Sequence, residues 1–132
     1  MLADHTAIPV LAVTDLDRAR AFYEGTLGFT PTDGAPEGVI YRTANGGFLV
    51  YPSGYAGTNK ATAISFQLPG DAFDAEVAAL RASGIEFQTF DLPGDATWTD
   101  GVFSDGTMRA AWFGDPDGNV LNVETDPRNA AG

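Results

Sequence analysis

TDLDRARAFYEGTLGF, Thr14 to Phe29, and GDAFDAEVAALRASGIEF, Gly70 to Phe87, follow one plan. In the first, Leu16, Ala19, Phe22, Tyr23 and Leu27 recur at three-to-four spacing, the mark of a helix with one apolar side. Thr14 or Asp15 can cap its start, and Gly28 can take the left-handed backbone that ends it. In the second, Phe73, Val77 and Leu80 point inward and Gly84 is the stop. The interval from Asp15 to Gly28 equals that from Asp71 to Gly84, an internal repeat of about 56 residues, too long for a solenoid unit.

Short apolar or alternating runs flank both helices and read as strands. AIPVLAV precedes the first helix, and FTPTD, GVIYRTA and GFLVYPS follow it, the last two turning at Asn45-Gly46. ATAISFQL precedes the second helix, and IEFQTF, MRAAWF and NVLNVE follow it, the last two joined through GDPDG. Each half therefore reads βαβββ: module one about 6–54 and module two about 61–125, within a single domain spanning 1–132. The expected fold is α+β, with two βαβββ modules forming a concave mixed-sheet cleft. The second half is the longer, and its excess falls in DLPGDATWTDGVFSDG, which reads as a long Gly/Asp-rich loop carrying Trp98 and Phe103. Loops of that length usually cover or line something.

Composition narrows the function classes. A net charge of −11 leaves little to neutralise phosphates, so no nucleic-acid partner is expected. No run approaches the ~18 apolar residues of a membrane span, and MLADHTAIPV lacks the basic and apolar regions of a signal peptide. With no cysteine there are no disulfides or thiolate metal sites, and a cytoplasmic location is expected.

IPVLAVTDLDRARAFYEGTLGF and AWFGDPDGNVLNVE together resemble the opening and closing signatures of the vicinal oxygen chelate superfamily. That superfamily includes glyoxalase I, fosfomycin-modifying enzymes, extradiol dioxygenases and bleomycin-resistance-type proteins. The resemblance implies paired βαβββ modules, often in a homodimer. In the metal enzymes it implies His and Glu ligands on the first and last strands of each module. The corresponding positions here are Ile8, Val50, Ala63 and Asn122. None is a histidine or carboxylate, and one neutral amide cannot hold a transition metal, so no metal or other cofactor is expected. His5 lies near the N-terminus on the opposite strand parity from Ile8, and Glu124 shares the Asn122 face by period two. Asp115 and Asp117 could suggest calcium, but DPDG reads better as a turn, with Pro116 presetting φ and Gly118 taking the left-handed position.

Strand alternation from these positions predicts the cleft lining. It comprises Ile8, Val10, Ala12, Tyr41, Phe48 and Val50 from module one. Module two would add Ala63, Ser65, Gln67, Arg109, Ala111, Phe113, Val120 and Asn122. Apolar walls with sparse polar groups suit a small-molecule pocket. Phe48 and Phe113 fit core packing equally well, and Trp112 is expected beneath the helices. Arg109 would be a surface ion-pair partner if the parity slipped by one. Trp98 reads as a ligand-stacking lid or a dimer contact, with Phe103 beside it, and Tyr55 as a cleft, linker or dimer residue.

Three functions are open on this reading. The first is metal-independent sequestration of a small aromatic or polycyclic natural product, of the bleomycin-resistance type. Its binding residues would be Tyr41, Phe48, Val50, Ser65, Gln67, Trp98, Phe103, Arg109, Phe113 and Asn122. The second is a metal-free enzyme using Tyr41, Arg109 or Glu124, although no nucleophile–base pair is visible. The third is a structural or regulatory dimer with a filled cleft. A homodimer is expected in each case.

Overall fold

The computed structural model describes residues 1–32, 37–91 and 97–125. It resolves into two compact units, one of Met1–Ala63 with Asp115–Asn119, the other of Ile64–Gly114 with Val120–Gly132. Residues 92–96 of the stretch read as a long loop, Asp33 of FTPTD and residues 126–132 lie outside the described residues. Among the described residues no helix is long and apolar enough to cross a membrane.

The first unit runs β1 (Val10–Val13), α1 (Leu16–Arg20), β2 (Pro31–Thr32), β3 (Val39–Thr43) and β4 (Gly46–Pro52). Its sheet order is β1-β4-β3-β2, with β1 parallel to β4 and the other pairs antiparallel. This is the βαβββ arrangement that the repeat implied. Asp15 caps α1 by accepting from the Arg18 amide at 3.1 Å. After Arg20 the helix widens into a π-helical turn, Ala21–Thr26. There the Leu27 amide reaches back five residues to the Phe22 carbonyl at 2.9 Å. Gly28 then ends it at φ +82°. The turn delivers Tyr23, fully buried, onto the sheet, where its ring meets Tyr41 at 5.8 Å and Phe48 at 5.6 Å.

Asp115–Asn119 is held by its own carboxylate. Asp115 Oδ1 accepts from the amides of Asp117 (2.9 Å) and Asn119 (2.8 Å). Its Oδ2 accepts from the Tyr23 hydroxyl and the Asn119 side-chain amide, both at 2.8 Å. Asn119 also donates to the Ala12 carbonyl at 2.8 Å. Asp117 Oδ1 takes the Thr14 hydroxyl at 2.7 Å, the Thr14 amide at 3.2 Å and Arg18 Nη2 at 3.0 Å. Gly118 takes the left-handed conformation at φ +84°. The aspartates that could suggest calcium thus serve as acceptors for the chain itself.

The second unit runs β5 (Thr62–Leu68), α2 (Phe73–Ala82), β6 (Thr97–Thr99), β7 (Val102–Ser104), β8 (Arg109–Gly114) and β9 (Val120–Thr125). The sheet order is β5-β9-β8-β7-β6. Phe73, Val77 and Leu80 are the buried residues of α2, as their spacing predicted. They join Ile64, Ala111, Phe113, Leu121 and Val123 in the buried core.

Two expectations fail here. IEFQTF is not a strand, and only Gln88 bridges to Trp112. The edge position instead goes to a hairpin, β6–β7, cut from the stretch read as a loop. Asp100 (φ +51°) and Gly101 (φ +81°) make its two-residue turn, the paired left-handed geometry that matches the twist of a tight hairpin. Arg81 donates to the Asp100 carbonyl and holds this turn from α2.

Two substitutions test these devices. A Cβ at Gly101 would meet Phe87 Cβ at 3.1 Å in a backbone region unfavourable to L-residues. Gly101→Ala is therefore expected to lower stability by about 1–3 kcal/mol in urea denaturation. A neutral result would mean that the turn is not held in this conformation. Tyr23→Phe strips one donor from the buried Asp115 carboxylate and is expected to cost about 1–3 kcal/mol by the same measurement. Wild-type stability in that variant would remove the hydroxyl from the structural account.

Candidate functional site

In each unit the helix covers one sheet face, so the other face is the place for a site. Alternation assigns residues to faces, but only once the turns are known.

In the first unit, Thr43 pairs with Gly46, so the β3–β4 turn is Ala44-Asn45, one residue before the expected Asn45-Gly46. Gly46 already lies in β4, whereas Gly118 lies inside the Asp115–Asn119 turn. Taking Val50 as the counterpart of Asn122 equates Gly46 with Gly118, which shifts β4 by one residue and turns its faces over. Val50 is the parallel partner of Leu11, and both are buried. Tyr41, Phe48 and Val50 accordingly pack beneath α1 and do not line the open face. That face carries Ile8, Val10 and Ala12 with Leu49 and Tyr51, and Val10 is 53% exposed. Tyr41 is also committed. Its hydroxyl donates to Glu24 Oε2 at 2.8 Å, and Glu24 is paired with Arg20 at 2.7 Å. Burial first, then this bond, raise the Tyr41 pKa well above the ordinary tyrosine value. Burial first, then Asp115, do the same for Tyr23. Both stay protonated near neutrality and act as donors, not as acid–base groups.

In the second unit, β8 and β9 pair around a five-residue turn, with Trp112 opposite Asn122 and Ala110 opposite Glu124. Even-numbered residues of both strands therefore share a face. Arg109 and Phe113, expected in the cleft, lie on the α2 side. The Arg109 guanidinium sits 4.7 Å from the Phe73 ring centroid and pairs with Asp74 at 2.6 Å. Phe113 meets Phe87 edge-on at 6.2 Å. Trp112, expected beneath the helices, lies instead on the open face, the one without α2, where it and Phe103 are buried against other rings.

That face is built from aromatic rings. Trp112 lies 4.9 Å from Phe90, 5.9 Å from Trp98 and 6.0 Å from Phe103. Trp98 meets Phe103 at 5.7 Å and Phe90 at 5.5 Å. Trp98 is thus a strand residue packed into the cluster, not a lid held away from it. Beside the rings runs a polar stripe. Glu124 Oε1 accepts from Gln67 Nε2 at 2.5 Å and from Ser65 Oγ at 3.1 Å, and Gln67 also reaches Ser65 at 2.6 Å. Asn122 is 3% exposed, and its Oδ1 is buried without a hydrogen-bond partner. Sequence reasoning missed Phe90 and misplaced Trp112. The missed signal was Asp100-Gly101 between Thr-Trp-Thr and Val-Phe-Ser, a hairpin pattern that brings Trp98 and Phe103 beside β8.

The donor set does not fit a transition metal. Among the described residues no three His, Cys, Asp or Glu side chains come together to hold an ion. Asn122 offers a neutral oxygen, Glu124 a carboxylate already bonded to two neighbours, and Ala63 and Ile8 offer no donor atom.

Structural comparison places the fold. A glyoxalase/bleomycin resistance protein/dioxygenase from Alicyclobacillus acidocaldarius superposes with a TM-score of 0.69 at 17% identity, covering 95% of each chain. The monoclinic form of the fosfomycin resistance protein FosX from Listeria monocytogenes gives 0.67 at 15% identity, covering 92% of this chain and 90% of that one. A glyoxalase/bleomycin resistance protein/dioxygenase from Nocardioides gives 0.64 at 17%, covering 92% and 83%. At these identities the likeness is one of fold. No curated protein matches the sequence. A sequence model of one family matches residues 2–123, nearly the whole chain, and on that match the chain belongs to the Glyoxalase/Bleomycin resistance protein/Dioxygenase superfamily.

Proposed function

We propose that this chain binds and sequesters a small aromatic or polycyclic compound without a metal, a resistance function of the drug-binding kind. The observation that carries the reading is the face of the second sheet that α2 leaves uncovered, with Phe90 its most exposed ring and Trp112 beneath. It sets Trp98, Phe103, Trp112 and Phe90 beside Ser65, Gln67, Asn122 and Glu124. Offset or edge contacts with such rings contribute about 0.5–1.5 kcal/mol per pair beyond area burial. Three or four of them, with the apolar area they bury, suffice for micromolar binding, about −8 kcal/mol. The fosfomycin resistance protein of Listeria has been solved in complex with Mn(II) and sulfate. The donors here do not fit such an ion, so the attraction for a ligand falls to rings and hydrogen bonds. Of the groups considered for metal-free catalysis, Tyr41 and Arg109 are engaged beneath the helices. Only Glu124 is on the open face, which favours binding over turnover. The reading includes a homodimer, in which sheet-end strands such as β1 and β5 would offer edges for a partner to pair with.

Titration with flat polycyclic natural products, followed by tryptophan fluorescence, tests this. Submicromolar to micromolar quenching is expected, unchanged by EDTA and weakened at least tenfold in Trp112→Ala, with the ligand recovered at unaltered mass. Binding that needs added Mn(II) or Zn(II), or a ligand recovered with altered mass, would overturn the reading. Sedimentation at micromolar concentration is expected to give a dimer, and a monomer would remove that part.

A further inference from the structure

The polar groups of the open face are not equivalent. Ser65, Gln67 and Glu124 are bonded to one another, whereas Asn122 Oδ1 is buried and takes no hydrogen bond. An unfilled acceptor in the interior carries a free-energy cost that an apolar residue of similar shape would avoid. Asn122 is the direct cross-strand partner of Trp112. Directly paired side chains start about 5 Å apart, so a ring lying against Trp112 brings its edge to the amide. Glu124 follows on the same face two residues along, about 7 Å away. Its charge favours an N–H over an acidic O–H as the group presented here. We infer that Asn122 is the specificity determinant of this site. It selects aromatic ligands that carry an N–H donor in or on the ring plane, and Oδ1 accepts that N–H. The inference rests on the aromatic face being the binding site. Oδ1 is shielded in the unliganded chain, so the side chains over it must move for the donor to reach it. Phe90, 41% exposed and outside the strands, is the ring of the cluster with least to hold it.

Carbazole and dibenzofuran are the probes, being tricyclic rings of one shape in which an N–H is exchanged for an oxygen acceptor. Equilibrium dialysis against wild type, Asn122→Leu and Trp112→Ala separates the outcomes. Expected are at least tenfold tighter binding of carbazole to wild type, equal binding of both to Asn122→Leu, and weak binding of both to Trp112→Ala. Equal binding of both probes to wild type would overturn the inference and leave the aromatic site standing. So would a carbazole preference that survives in Asn122→Leu. If wild type retains neither probe better than Trp112→Ala does, the aromatic site fails and the inference with it. Thermal melting gives a second readout. Relief of the unfilled acceptor should raise the midpoint of unliganded Asn122→Leu by a few degrees, on the order of 3 °C. A folded variant with an unchanged or lower midpoint would mean that the acceptor is already satisfied, against the proposal. If that variant does not fold, the wild-type comparison of the two probes decides alone.

Discussion

One buried carboxylate organises the first unit. Asp115 is 7% exposed, yet both its oxygens are filled, by two backbone amides, a side-chain amide and the Tyr23 hydroxyl. A charge at that depth is tolerated only when its lone pairs are met by donors. Meeting them here fixes the turn backbone from Asp115 to Asn119 and the position of Tyr23 together. The π-helical turn is the backbone feature that brings Tyr23 to this position, and the same tyrosine ring anchors Tyr41 and Phe48. Arg18, Thr14 and Asp117 extend the bonding to the first turn of α1. The family signature around DPDG is thus a folding device, and its acidity says nothing about a cation.

The second unit has a different problem, a sheet with large apolar side chains on both faces. Its α2 side is closed in the usual way by Phe73, Val77 and Leu80, with Arg109 laid over Phe73 so that its charge stays paired with Asp74. Among the described residues the other side has no helix over it, and its rings bury one another, Trp112 and Phe103 almost wholly and Trp98 and Phe90 in part. The β6–β7 hairpin adds Trp98 and Phe103 to Trp112, so β8 has large side chains on both faces, as its unbroken buried run from Ala110 to Phe113 records. Such a run carries no alternation, and alternation is the only clue to facing that a sequence supplies.

That is why some of this molecule was legible in advance and some was not. The two helices, their apolar residues and the glycine stops at Gly28 and Gly84 could be read because period, cap and left-handed glycine all agreed. The βαβββ order of the first unit followed from them. Facing in β4 and β8 could not be read, because it depends on whether a turn holds an odd or even number of residues. The β3–β4 turn has two residues and the β8–β9 turn five, and one glycine match between them reversed Tyr41, Phe48 and Val50. In β5, by contrast, Ala63, Ser65 and Gln67 alternate cleanly with Ile64, Phe66 and Leu68, and Ser65 and Gln67 both bond to Glu124. The hairpin was missed for another reason: an Asp-Gly turn between three-residue strands has too little apolar length to stand out from a loop.

On the proposed reading, the chemistry of the open face follows from having no metal ligands. A metal site concentrates binding in a few strong, directional bonds and tolerates polar walls. Without such donors the attraction must be spread over area, which favours rings. Area discriminates poorly between ligands of equal shape, since each ring face resembles the next. A polar atom that is costly to leave unpaired discriminates strongly, because the penalty falls on every ligand that cannot fill it. Asn122 carries such an atom on this face, at a position where the resemblance to the metal enzymes implies a ligand.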